Sequence, residues 1–145
     1  MVISLIFYIL HSKYKFYAMR KEKFCMEYVF EKASKNTLWN YLTSATGLSG
    51  WFADDVYVKE NSYIFIWNKS PMEAELLNII PNNKVRFRWV EDENPESYFE
   101  FQLQTDEITG AIVLEITDYA EPEEKEHATS LWDSQIKLLK RTLGI

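Results

Sequence analysis

Trp39–Phe52, WNYLTSATGLSGWF, follows one strand-like stretch and precedes at least five more. Ser34 offers an N-cap just upstream, and Leu38, Trp39 and Leu42 fall at helical spacing. Gly47 and Gly50 then punctuate a second short helix or turn that ends in Trp51 and Phe52. On the N-terminal side, Phe24, Met26, Tyr28 and Phe30 alternate with Cys25, Glu27, Val29 and Glu31. A period of two is the pattern of a half-buried strand.

On the C-terminal side the chain is rich in strands. Val56–Lys59 is short, and Asn61-Ser62 turns into Tyr63–Trp67, apolar on both faces as expected of a central, covered strand. Asn68–Pro71 is another turn before Met72–Ile80, and Pro81-Asn82-Asn83 signals a hairpin. Val85, Phe87 and Trp89 alternate with Arg86 and Arg88, the cleanest strand pattern present. Asp92–Pro95 breaks it, Tyr98–Thr105 resumes it, and Gly110 separates that run from Ala111–Tyr119.

The last helix is the plainest element. Acids surround Pro122 at its start, and Lys137, Lys140 and Arg141 stand near its end, so both ends complement the helix dipole. Ala128, Leu131, Trp132, Gln135, Ile136, Leu139 and Leu143 make one stripe at helical spacing. The expected class is α+β: a curved antiparallel sheet of about six to seven strands around a long C-terminal helix, with two short helices after the first strand.

The 145 residues suit one domain with a real core. Residues 19–145 are expected to form it, and residues 1–18 to be an N-terminal extension, non-native or flexible. That extension holds His11, Lys13 and Lys15 but no acid, and Met19 then opens MRKEKF like an ordinary cytoplasmic start. Its apolar run, Val2–Leu10, is too short to span a membrane. A net charge of -6 without a basic stripe argues against a nucleic-acid partner. Cys25, the single cysteine, excludes an intrachain disulfide, fits the cytoplasm, and is expected to be a small buried hydrophobe.

LWNYLTSATGLSGWFADDV, Leu38–Val56, resembles the START-like (helix-grip) superfamily. The branch it is most similar to contains the activator of the heat-shock-protein ATPase. The resemblance rests on Trp39 in the first helix and on Gly47, Leu48, Trp51 and Phe52 in the turn after it. It extends over about Lys23–Leu143, with Leu131-Trp132 and Leu138–Leu143 similar to the closing helix. It implies a cavity between sheet and helix that takes apolar ligands. It leaves carriers, co-chaperones and enzymes open, since fold alone does not fix function.

Catalytic groups are sparse. His127 lies in the acidic first turn of the last helix and gives no Ser-His-Asp or Cys-His set. Spacings for a zinc or calcium site are missing, so neither metal nor cofactor is expected. Asp54-Asp55 reads as a pair of loop acids. Arg86 and Arg88 are expected to face Glu73 and Glu75 across a hairpin as solvated pairs. Tyr28, Tyr63 and Tyr98 are the tyrosines to inspect for acid–base chemistry.

Aromatics make up 16% of the chain, with five tryptophans, and they supply the candidate site. Trp51, Phe52, Trp67, Phe87, Trp89, Phe99, Phe101, Leu131 and Trp132 would wall a ligand cavity, and Gln135 would be a polar contact inside it. The same rings could instead fill the interior. Three roles follow: a carrier of a small apolar ligand, a protein-binding module or homodimer, and a cyclase- or hydrolase-like enzyme.

Overall fold

Seven antiparallel strands form one sheet in a computed structural model that describes residues 21–145. The elements are β1 (Glu22–Phe30), α1 (Lys35–Thr43), α2 (Ala45–Leu48), β2 (Asp55–Lys59), β3 (Ser62–Trp67), β4 (Ser70–Ile80), β5 (Lys84–Trp89), β6 (Phe99–Thr105) and β7 (Ile112–Ala120). A single 3-10 turn, Pro122–Glu124, leads into α3 (Lys125–Leu143). Strand order is β1-β7-β6-β5-β4-β3-β2. From β2 onward each strand pairs with its successor, and α1 and α2 carry the chain from one edge of the sheet to the other. The residues expected to form an extension, 1–18, lie outside the described part.

Local chemistry explains the boundaries. The Ser34 hydroxyl accepts from Thr37 N and caps α1, and the Ser44 hydroxyl accepts from Gly47 N and caps α2. Asn68 and Lys69 both have positive φ, the pattern of a tight two-residue hairpin between β3 and β4. Gly144 ends α3 in the left-handed conformation, its N–H directed to the last carbonyls.

One face of the sheet carries the core. Tyr63, Phe65 and Trp67 of β3 are buried at alternate positions, as are Val85, Phe87 and Trp89 of β5 and Phe99, Phe101 and Leu103 of β6. Ala128, Leu131, Trp132, Gln135, Ile136 and Leu139 are the buried stripe of α3.

Three expectations need correction. β3 is not covered on both faces: it lies next to the terminal strand β2, and Ile64 and Ile66 are only half-buried. Arg88 does stand opposite Glu75 across the β4–β5 hairpin, but Arg86 faces neither Glu73 nor Glu75 and stands opposite Asn78. Its Nε instead donates to Glu100 Oε2 at 2.6 Å on the neighbouring β6, while Arg88 donates to the carbonyls of Ser97 and Asp92. Cys25 is exposed rather than buried, with its Sγ 3.5 Å from the Thr117 hydroxyl.

Candidate ligand-binding interior

The ten candidate residues come together between sheet and helix, and all are buried. Trp51 and Phe52 follow α2; Trp67 comes from β3, Phe87 and Trp89 from β5, Phe99 and Phe101 from β6, and Leu131, Trp132 and Gln135 from α3. Phe52 stands at the centre of the rings.

The Phe52 ring stacks on Trp132 at 5.8 Å and on Phe99 at 5.9 Å between centroids. It meets Phe65 and Trp67 edge-on at 5.0 and 5.3 Å. Phe99 continues the stack to Phe87 at 5.0 Å and to Trp89 at 4.8 Å, and Trp51 leans on Phe101 at 5.8 Å. Offset and edge-to-face pairs of this kind add about 0.5–1.5 kcal/mol each beyond area burial.

Inward polar groups are tied to the protein itself. The Phe52 carbonyl accepts from both Trp67 Nε1 at 2.8 Å and Gln135 Nε2 at 2.9 Å. Gln135, expected to contact a ligand, thus anchors α3 to the segment after α2. Trp51 Nε1 donates to the Tyr41 carbonyl, and Trp132 Nε1 donates to Asp118 Oδ2, both at 2.8 Å.

Asp118 is an interior residue that sequence reasoning passed over. Its backbone neighbour Tyr119 N donates to the other carboxylate oxygen at 2.8 Å. The signal was present: buried Ile112, Leu114, Ile116, Asp118 and Ala120 fall on one face of β7. A carboxylate on an otherwise apolar face marks a buried hydrogen-bond acceptor. Asp118→Ala leaves the indole N–H of Trp132 without this acceptor, and is expected to cost about 1–3 kcal/mol in urea unfolding. Asp118→Asn keeps an accepting oxygen and should lose less.

The groups flagged for acid–base work do not converge. His127 is exposed on α3. The Tyr28 hydroxyl donates to Asp133 Oδ1 at 2.7 Å; burial, then that bond and the Asp133 charge, push its pKa well up. The Tyr63 hydroxyl donates to the Thr43 carbonyl, and burial pushes it up as well. Both phenols therefore stay protonated near neutral pH. Tyr98 packs under the Arg86 guanidinium at 3.9 Å, away from the rings around Phe52. His11 lies outside the described residues. Among the described residues, His, Cys, Asp and Glu side chains form no group of three that could hold a metal, and no helix is long and apolar enough to cross a membrane.

Residues 18–145 match the family model of the START-like superfamily domain. The chain belongs to the START-like superfamily. This START-like chain is similar to BfR322 from Bacteroides fragilis at 41% identity, over 88% of this chain and 94% of that one, with a TM-score of 0.64. It is also similar to the Aha1 dimer from Colwellia psychrerythraea at 21% identity, over 86% and 97% of the two chains, with a TM-score of 0.70. A third similar structure is EF2215 from Enterococcus faecalis, a conserved protein of unknown function. It is 16% identical over 93% and 83% of the chains, with a TM-score of 0.65. The last two likenesses show the fold alone. No curated protein matches the chain.

Proposed function

We propose that this chain is a non-catalytic START-like domain that takes a small apolar ligand between its sheet and α3. The observation that carries the reading is the aromatic wall around Phe52, fed by β3, β5, β6 and α3. Trp51, Phe52, Trp67, Phe87, Trp89, Phe99, Phe101, Leu131 and Trp132 would contact the ligand, and Gln135 would sit at its polar end. Such a lining suits flat or branched hydrocarbon better than a charged molecule. The ring packing means that a ligand enters by parting side chains rather than by filling a ready void. The single cysteine, which forms no intrachain disulfide, supports a cytoplasmic site of action.

The test is native mass spectrometry of the freshly purified protein, together with titration of a fluorescent apolar dye. A co-purified small molecule, or saturable one-to-one dye binding that Phe99→Trp blocks, is the expected result. A folded protein with no adduct and no saturable dye site would sink the reading.

A second reading, a protein-binding module, is favoured by the likeness to Aha1 of Colwellia psychrerythraea, which is a dimer. Pull-down of a stoichiometric partner with no bound small molecule would select it instead.

A further inference from the structure

The loop between β5 and β6 is tied down at several points. The Arg88 guanidinium donates to the Ser97 and Asp92 carbonyls at 2.9 and 3.0 Å. Lys21, just ahead of β1, donates to Asp92 Oδ2 at 3.1 Å, and both side chains of that ion pair are buried. Asn94 N donates to the other Asp92 oxygen, and Glu96 N donates to Asn94 Oδ1. Ser97, at the end of this loop, is therefore fixed in position.

The loop delivers Ser97 to the inner face of the sheet. Tyr98 lies on the outer face, under the Arg86 guanidinium and with its ring centroid 5.2 Å from that of Tyr119. Phe99 lies inside, stacked on Trp89. Alternation along the chain returns Ser97 to the side of Phe99, and it is 4% exposed. Carrying the register of Phe87 opposite Phe99 two residues further sets Ser97 across from Trp89, at the rim of the aromatic wall.

Its hydroxyl stands apart from the others. Ser34, Ser44, Ser49 and Ser62 each give the hydroxyl proton to a protein oxygen. Ser97 Oγ is shielded from solvent and, among the described residues, has no hydrogen-bond partner. A buried hydroxyl left without a partner is costly, and so marks a place where a group from outside the chain completes the bond. Gln135 Nε2, by contrast, is already given to the Phe52 carbonyl.

We propose that the Ser97 hydroxyl is a specificity-determining contact of the interior, meeting a neutral oxygen on a ligand whose apolar rings lie against Trp89 and Phe99. The proposal rests on the apolar-ligand reading above and narrows it to a phenol, alcohol or ketone rather than a plain hydrocarbon. A serine hydroxyl both donates and accepts, which suits each of these groups, and it carries no charge to balance a buried ion.

Equilibrium dialysis of the full chain against naphthalene and against naphthol tests the assignment. In Ser97→Ala the ratio of naphthol to naphthalene affinity should fall about three- to tenfold, the loss of one neutral hydrogen bond. Naphthalene binding itself should change little, and the thermal midpoint of the unliganded variant should be no lower than that of the wild type. Ser97→Thr, which keeps a hydroxyl, should restore the ratio. A midpoint that drops in Ser97→Ala with the ratio unchanged makes the hydroxyl structural. That result, or an unchanged ratio at an unchanged midpoint, overturns the role of Ser97 and leaves the ligand reading intact. A wild type that binds neither probe overturns the ligand reading, and this assignment with it.

Discussion

Phe52→Ala is expected to destabilise the domain by about 3–5 kcal/mol, the usual cost of deleting a buried phenylalanine ring. The Phe52 ring is fully buried and touches rings from β3, β6 and α3 at once. Its loss leaves a hole that no single neighbour can fill, because Phe65, Trp67, Phe99 and Trp132 are each held by other ring contacts. Total stabilities of about 5–15 kcal/mol make this a large share. The denaturation midpoint should fall sharply with the slope little changed. A loss under about 1 kcal/mol, within the range of ordinary surface substitutions, would show that the ring is not the centre of the core.

Gly47→Ala should be the next most damaging change, and it acts through the backbone. A Cβ at this position would stand 2.4 Å from the Asn40 carbonyl oxygen and 2.6 Å from Tyr41 Cα. Neither atom is the free end of a side chain, so α1 and α2 must separate. Overpacking typically costs about 1–3 kcal/mol, and two backbone clashes place this case at the upper end. Gly50→Ala is the internal control: its closest contact would be 3.3 Å, from the Gly47 carbonyl oxygen. Unfolding curves for the two variants should therefore differ clearly, and equal stabilities would refute the packing argument.

Strands declared themselves in the sequence wherever period two held. Phe87 and Trp89 on β5 and Phe99 and Phe101 on β6 were assigned to the inner face by alternation alone, and they lie there. Position within the sheet was less legible. Tyr63–Trp67 looked central because Ile64 and Ile66 are apolar, yet β3 is second from an edge. Hydropathy reports what a side chain tolerates, while strand order is decided by how hairpins chain together. Arg86 taught the same lesson about register. Its acid is Glu100, directly opposite on β6, a neighbour that the β4–β5 hairpin pattern does not reveal.

The candidate residues share one interior, but its geometry was not legible in the sequence. All ten side chains meet, but the central place of Phe52 depends on how the turn after α2 enters the space under α3. Gln135 was read as a ligand contact since a polar residue stood in an apolar stripe. The pairing that explains it joins residues far apart in the chain, which no local pattern reveals. Asp118 was hidden for the converse reason: an acid late in a strand reads as an exposed end until its face is counted.

The path that α1 and α2 take across the sheet also sets an order of assembly. β2 to β7 can zip up hairpin by hairpin, each step closing a short loop. β1 must instead find β7 near the other end of the chain, from Glu22 opposite Ala120 to Phe30 opposite Ile112. Closing so long a loop costs entropy that short hairpins avoid. The N-terminal strand is thus the last to be stitched into the fold and the first to fray, and its amides should lose protection ahead of those in β5 and β6.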